Sequence, residues 1–302
     1  MQIRKRMNMM DEQTRRALIA LPLVLFVAAA LALAGSQGGI TVSGIPLFAL
    51  CVALAFVIQW AAFIPAFVMQ TERYYDLTGS STYITVMTVA VMLSPATDAR
   101  SILLLLIVVV WAVRLGTFLF GRIRATGSDE RFDNIKPSFA RFLLAWTLQG
   151  LWVSFSLAAA LAAITSEIRQ QPGLFAGIGM LVWLLGFGIE VVADWQKSRF
   201  RAAPANRGRF INIGLWSWSR HPNYFGEIVL WIGVAIIALP VLRGWQLVTL
   251  ISPVFITVLL TRISGVPLLE ARADKKWGGQ ADYESYKAST PVLIPRPPSA
   301  SR

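Results

Sequence analysis

Eight runs of apolar residues set the limits on what this chain can fold into. They lie near 17–34, 45–69, 82–93, 101–120, 142–165, 173–195, 225–240 and 246–264. Crossing a hydrocarbon layer of about 30 Å takes roughly 20 helical residues, and several of the runs are long enough. The third and seventh are short, which fits a tilted, kinked or partly re-entrant segment. Of the 302 residues 56% are hydrophobic and only 15% charged, whereas a soluble domain carries about 25% charged residues. The expected fold is all-α: a polytopic transmembrane helix bundle of seven to eight spans, with no room for a separate soluble domain. Residues 1–302 then form one membrane-embedded domain, with N-terminal spans in 1–69 and an exposed tail at 296–302.

The basic residues test the span count. With eight spans and the N-terminus inside, the inner segments hold the N-terminal tail, Arg73, the stretch from Arg122 to Arg141, the stretch from Lys197 to Arg220, and everything from Arg262 onward. The outer loops keep only Arg100, Arg169 and Arg243, and Arg114 falls within a span. This asymmetry is what the positive-inside rule predicts, and it puts the C-terminus in the cytoplasm. A bacterial inner membrane is the expected location. Topology and attraction to anionic lipid account for the net charge of +12, so nucleic acid is not an expected partner. The first run, with its basic tail and Ala32-Leu33-Ala34-Gly35, also reads as a secretory signal with a cleavage site. Cys51 lies in an apolar run and packs as a small apolar group. One cysteine and one histidine give no basis for a His- or Cys-rich metal site.

One segment carries unusual chemistry. Trp216-Ser217-Trp218-Ser219-Arg220-His221-Pro222-Asn223-Tyr224-Phe225-Gly226-Glu227 gathers the only histidine, an arginine, an amide, a phenol and a carboxylate between apolar runs. Polar groups at that density beside a membrane are costly unless paired or hydrated, so a large polar ligand is expected to meet the bilayer here. The connector from about Asp194 to Asn223 holds Lys197, Arg199, Arg201, Arg207, Arg209 and Arg220, with only Asp194 at its head. A plain positive-inside anchor needs basic residues but no order. Here they alternate with Asn206, Gly208, Asn212, Gly214 and Trp216. Glycine lets backbone approach a ligand, and arginine grips phosphate through paired hydrogen bonds. No G-x-G-x-x-G turn follows a strand, so a nucleotide must be held by side chains from loops and helix ends.

Carboxylates at membrane depth are a second signal. Glu190 and Asp194 lie four apart on one helix face and Glu227 opens the next run. Such groups face the bundle interior and pair with a cation or a ligand hydroxyl. Arg114 needs a partner too, for which Asp76 and Glu72 are suited. Tyr74, Tyr75 and Tyr83 with Glu72 and Asp76 read either as an interfacial aromatic belt or as a proton-delivery site. The segment 262–295, with a charged helix at 268–276 and the Tyr283/Tyr286 pair, either folds back to close a cofactor pocket or lies flat as a surface helix.

The run GLWSWSRHPNYFGE, preceded by EVVADWQKSRFRAAPANRGRF and followed by RISGVPLLEARADKKWGGQADYESYKASTPVLIP, resembles the DUF1295 branch of the steroid 5α-reductase superfamily. RLGTFLFGRIRATGSDERF and LQGLW upstream are similar to it as well. The likeness covers roughly 70–295. RHPNY alone is shared with sterol C14-reductases and isoprenylcysteine methyltransferases; the combination is much more specific. The resemblance implies an NADPH-dependent membrane reductase that saturates a carbon–carbon double bond, often conjugated to a ketone, in a steroid or similar lipid. By motif, Asp194, Arg201 and Arg209 match contacts to the adenosine and phosphate portion, and Arg262 matches another cofactor arginine. Trp216, Asn223 and Glu227 match positions beside the nicotinamide half. Tyr224, and more loosely Arg220 and His221, match the sterol C14-reductase form of the motif. Asp76 falls near the family's catalytic carboxylate. Trp111 stands where the family keeps a catalytic tyrosine and has no phenolic proton, which leaves Tyr75, Tyr83 and Tyr224 as candidate donors.

The expected reaction is hydride transfer from NADPH to the β-carbon of a polarised alkene, then protonation nearby. The cofactor sits on the cytoplasmic side and the lipid substrate enters sideways from the bilayer. Two rival readings remain. An S-adenosylmethionine-dependent methyltransferase of the isoprenylcysteine type would use the same RHPNY core and the acidic, aromatic C-terminal segment. A non-enzymatic lipid-binding or transport protein would use neither cofactor. The basic residues ahead of the motif favour the phosphorylated nucleotide, and nothing points to an obligate protein partner.

Overall fold

The computed structural model describes residues 2–95 and 97–298, and the side chains of these except 2–11, 125 and 126. Of the expected tail, 296–298 are exposed and 299–302 lie outside the described residues. Among the described residues the chain is helical apart from one short hairpin and an isolated bridge, and seven helices are long and apolar enough to cross a membrane. It is an integral membrane protein of the expected all-α class. The helices group into two compact units, Met1–Pro172 with Ala238–Ile251, and Gly173–Ile237 with Ser252–Arg302.

The first unit holds α1 (Gln2–Ser36), α2 (Leu47–Val68), α3 (Tyr75–Leu93), α4 (Ala99–Thr126), α5 (Phe139–Thr165) and a 3-10 helix, Gly244–Ile251. Between α1 and α2, β1 (Thr41–Val42) and β2 (Ile45–Pro46) form an antiparallel hairpin. Its two turn residues, Ser43 and Gly44, have φ of 51° and 81°, the paired positive values that a tight hairpin turn demands. Helix α5 is the axis of the unit. From Leu157 to Ile164 no residue is more than 2% exposed, and α1, α2 and α3 all pack on α5. The alanines of this stretch let neighbouring backbones come close, which is how helices associate where lipid competes for apolar faces. The short third run becomes α3, whose threonines and serines keep it out of the seven apolar spans. Its polar groups are met inside the unit: Thr82 Oγ1 donates to the Thr78 carbonyl at 2.7 Å and accepts from Gln59 Nε2 at 2.7 Å.

The three arginines that break the charge bias are all tied to carbonyl groups of this unit. Arg100 donates to the Gln171 carbonyl at 3.3 Å, Arg169 to Ile164 at 3.1 Å, and Arg243 to Leu242 at 2.7 Å. They fasten loop ends, which explains their tolerance there. Glu72 is likewise committed, accepting from Lys136 Nζ at 2.6 Å and from the Asp129 amide at 2.8 Å. Burial pushes its carboxyl up, but Lys136 and the Asp129 amide outweigh burial and hold it below the usual carboxylate range.

The second unit is built on α6 (Leu174–Ala202) and α7 (Pro222–Ala238), followed by α8 (Ser252–Val258), a π-helical turn (Leu259–Ile263), α9 (Val266–Trp277) and α10 (Ala281–Ser289). Helices α6 and α7 touch backbone to backbone at two glycine pairs. A Cβ at Gly186 would meet the Gly226 carbonyl oxygen at 2.6 Å, and one at Gly226 would meet the Gly186 oxygen at 2.6 Å. Gly179 and Gly233 face each other in the same reciprocal way, at 2.7 and 2.6 Å. Replacing Gly186 by alanine is expected to force α7 outward and to cost about 1–3 kcal/mol of stability through overpacking. Gly188→Ala is the control, since a Cβ there meets nothing within 4 Å. Thermal unfolding of the detergent-solubilised protein, followed by circular dichroism, separates the two; equal midpoints would contradict the packing assignment.

Candidate functional site

Close packing of α6 on α7 positions the polar groups of the second unit. Glu190, Asp194, Lys197 and Arg201 fall at helical spacing along one side of α6. This helix runs on to Ala202, past the point near Asp194 where the sequence suggests a connector. Lys197 and Arg201 are therefore held by helix, and the true connector spans 203–221. Pro222 opens α7, a first-turn position where its missing N–H costs nothing. One residue on, Asn223 Nδ2 donates to Asp194 Oδ1 at 3.1 Å, joining the two helices.

A short 3-10 turn, Gly214–Ser217, brings the tryptophan in. Gly214 has φ of 61°, and a Cβ there would strike the Gln196 side chain at 2.6 Å. Only glycine lets Gln196 Oε1 receive the Leu215 amide at 2.9 Å. Trp216 is then 3% exposed, its indole N–H donating to the Ala193 carbonyl at 3.0 Å. Lys197 Nζ lies 4.2 Å above its ring. The C-terminal segment folds back onto this turn. The amide of Arg220 donates to the Pro291 carbonyl at 2.9 Å, that of Arg296 to Trp218 at 2.9 Å, and Tyr286 Oη to the Trp216 carbonyl at 2.6 Å. Of the two readings of 262–295, the structure shows the fold-back, with the segment lying against the connector.

Beneath this segment lies a cavity of about 310 Å³. Its basic lining is Lys197, Arg201, Arg209, Arg220, Arg272 and Lys276, and its aromatic lining includes Phe210, Trp216, Trp277, Tyr283 and Tyr286. Phe210 is the hub of the aromatic wall, with ring centroids of Tyr283, Tyr286 and Trp277 at 5.2, 5.4 and 6.0 Å. Trp277 is fixed by its indole bond to the Gly208 carbonyl at 2.6 Å. His221, 4% exposed, also lines the cavity, and its Nε2 is 2.7 Å from Glu270 Oε1. Burial pushes the His221 imidazole below its ordinary value; Glu270 pulls the other way, and Lys197 and Arg220 add to the depression. Burial pushes the phenol of Tyr286 up, and burial with the Asp274 hydrogen bond does the same for Tyr283, so both keep their protons.

Eight of the residues singled out in the sequence meet at this cavity: Lys197, Arg201, Arg209, Trp216, Arg220, His221, Tyr283 and Tyr286. Asp194, buried, and Asn223, half-buried, are joined by their hydrogen bond and do not line the cavity. Tyr224 stacks on His221, centroids 5.7 Å apart and planes 11° off parallel, without lining the cavity. Glu227 is one turn deeper in α7 and half-buried, and Arg262 is exposed on the π-helical turn. Neither belongs to the cavity wall. Absent from the sequence-based set are Phe210, Glu270, Arg272, Lys276 and Trp277. For Lys276 and Trp277 the signal was in the pattern: with Leu269 and Ala273 they recur at helical spacing and put one face of α9 on the cavity.

In the first unit, Tyr75 is 7% exposed and donates its hydroxyl to the Ala145 carbonyl at 2.9 Å, among Phe132, Phe142 and Trp146. Asp76 Oδ2 lies 3.6 Å from Arg122, and Tyr83 packs edge-on against Trp111 with centroids 5.1 Å apart. The guanidinium of Arg114 stands over the Phe118 ring at 5.5 Å. No cluster of metal-ligating side chains occurs among the described residues.

Residues 62–290 match the family described as "Protein of unknown function (DUF1295)". The chain belongs to the DUF1295 family. This DUF1295 protein is also similar to the "3-oxo-5-alpha-steroid 4-dehydrogenase 1" of Rattus norvegicus, 29% identical over 118 residues, which is 39% of this chain and 40% of the relative. The protein of the same description from Mus musculus is 28% identical over 118 residues, with the same shares. The chain thus spans about 40% of the length of the curated relatives it matches. No solved structure matches it.

The depressed His221 imidazole has a measurable consequence. An imidazole in the unfolded chain titrates near pH 6.5. The folded form takes up its proton only at lower pH, so protons favour unfolding in the window below that value. His221 is the only histidine, so it alone among ordinary side chains titrates in that window. The thermal midpoint is expected to fall as pH drops from about 7.5 to about 5.5, and His221→Gln is expected to flatten that slope. An unchanged slope in the variant would rule out His221 as its source.

Proposed function

We propose that this DUF1295 protein is a membrane-embedded reductase that uses NADPH to saturate a polarised carbon–carbon double bond of a steroid-like or other lipid enone. The observation that carries the reading is the cavity beneath α9 and α10, with basic residues around it and flat aromatic faces in its wall. That donor set fits a phosphorylated nucleotide. Guanidinium groups bind phosphate through charge-assisted hydrogen bonds, and aromatic faces accept a planar base. It does not fit S-adenosylmethionine, whose cationic centre the basic residues would repel. Similarity to the steroid 4-dehydrogenases supports an oxidoreductase with a lipophilic substrate.

On this reading Arg201, Arg209 and Lys197 grip the phosphates, and the aromatic group around Phe210 takes the base. Trp216 and the Asp194–Asn223 pair support the redox half of the ligand. Asn223 suits that task because its Oδ1 is buried without a hydrogen-bond partner, leaving an acceptor for an amide N–H. The bound dinucleotide supplies hydride. The protein shields the site from water with the C-terminal cover, so that reduction is directed to the lipid. For protonation the candidate donors are Tyr75, Tyr83 and Tyr224, of which Tyr75 donates its hydroxyl to the Ala145 carbonyl. Asp76 would orient the donor.

NADPH binding to the full-length protein in detergent, read by quenching of Trp216 and Trp277 fluorescence, tests the reading. Each charge-assisted hydrogen bond contributes about 1.5–3 kcal/mol, so Arg201→Ala with Arg209→Ala is expected to weaken binding by at least about tenfold. The wild-type affinity should also fall with added salt. An unchanged affinity in the double variant removes the cofactor assignment. Binding of S-adenosylmethionine in place of NADPH would instead identify a methyltransferase.

A further inference from the structure

We infer that Glu270 is a positioning residue of this cavity, its carboxylate holding Arg220 and His221 in the arrangement that meets the nucleotide. The inference rests on the nucleotide reading above. Its starting point is a charge of the wrong sign. Among the described residues lining the cavity, Glu270 is the one carboxylate in a wall otherwise charged by Lys197, Arg201, Arg209, Arg220, Arg272 and Lys276. Direct repulsion of a polyanion makes such a group a liability unless it acts through its neighbours.

The geometry gives it that action. Glu270 projects from α9 and uses its two oxygens on two different residues. Oε1 is 2.7 Å from His221 Nε2, and Oε2 is 3.1 Å from Arg220 Nη1. Both partners come from the connector just before α7, so one carboxylate fixes two adjacent side chains. With the imidazole neutral, the bond to Oε1 places the proton on Nε2. Each partner keeps unused capacity: Arg220 Nε and His221 Nδ1 are buried and have no hydrogen-bond partner. Arg220 is thus anchored by one corner of its guanidinium, with donors left over beside the cavity. A side chain already clamped does not lose its rotamer freedom on binding. That loss is worth roughly three- to tenfold in affinity for a long side chain.

The two accounts of Glu270 predict opposite signs. If the carboxylate acts only through its charge, Glu270→Ala tightens NADPH binding, because a repulsive group has gone. If it positions Arg220 and His221, Glu270→Ala weakens binding roughly three- to tenfold. Glu270→Asp keeps the charge but shortens the reach, and is expected to weaken binding like alanine. Glu270→Gln keeps the reach without the charge: its oxygen still accepts from Arg220 and its amide N–H meets His221 Nε2 once the imidazole proton moves to Nδ1, so it is expected to stay closest to wild type. The same pair of variants read by direct repulsion alone would leave aspartate unchanged and make glutamine tighter.

A double-mutant cycle separates positioning from a general structural role. In the background of Arg220→Ala with His221→Ala, Glu270→Ala is expected to add no further loss of NADPH affinity, because its partners are gone. A loss of the same size in both backgrounds would overturn positioning in favour of a purely structural contact of α9. Tighter or unchanged binding by Glu270→Ala, with wild-type binding intact, overturns the inference alone. Absence of NADPH binding by the wild type overturns the nucleotide reading and this inference with it.

Discussion

Backbone contact between α6 and α7 is the constraint on which the second unit depends. Between two apolar helices in lipid there is no hydrophobic gain from association, because lipid tails solvate the faces equally well. What remains is close van der Waals contact, and side chains limit it. The facing pairs Gly186/Gly226 and Gly179/Gly233 remove those side chains at two points seven residues apart on each antiparallel helix. Seven residues is close to two full turns, so both contacts fall on one face. The contact sets the separation at which Asn223 reaches Asp194 and the Trp216 indole reaches the Ala193 carbonyl. A wider gap would break the Asn223–Asp194 bond that joins the two helices.

The cavity of that unit concentrates like charges, and the fold offsets this by means other than simple pairing. Lys197 lies over the Trp216 ring at 4.2 Å and Lys276 over Trp277 at 4.7 Å. A cation on an aromatic face gains about 0.5–1 kcal/mol when exposed and more when desolvated. The same rings are locked by main-chain bonds, Trp216 to Ala193 and Trp277 to Gly208. The aromatic residues therefore have two tasks, walling the cavity and holding cations near one another. The remaining repulsion among the cations would be relieved by an anionic ligand, which is the physical reason for proposing a binding site there rather than a topological anchor alone.

The spans were legible because membrane crossing imposes a length and a composition that survive any tertiary detail. The glycine spacing was visible as well, yet it acquires meaning only once 179 is paired with 233 and 186 with 226. Connector residues were readable by type but not by state. Lys197 and Arg201 continue α6 because nothing between Asp194 and Ala202 breaks a helix, and Pro204 is the first residue that does. Glu270 could not be found from local pattern. Its partners are 49 and 50 positions away in sequence, and a charged helix after a span looks alike whether it folds under the bundle or lies on the membrane. The fold-back is decided by the main-chain bonds of Arg220 and Arg296 to Pro291 and Trp218, which composition does not encode.

Tyr75 and Tyr83 illustrate the same limit in the first unit and lead to a chemical distinction. Both phenols sit on α3, eight residues apart, close to a carboxylate in sequence. A phenol that donates to a main-chain carbonyl inside an aromatic core is doing structural work: the bond from Tyr75 to Ala145 links α3 to α5, with Trp146 packed edge-on at 5.1 Å. Delivering its proton to a substrate would first require breaking that bond in a buried site, and a carbonyl left unpaired there costs about 1–3 kcal/mol. Tyr83 packs against Trp111, whose aromatic ring stands where the resemblance expects a tyrosine. On the reductase reading, position 111 keeps an aromatic ring without a phenolic proton, so donation would fall to a phenol elsewhere in the protein.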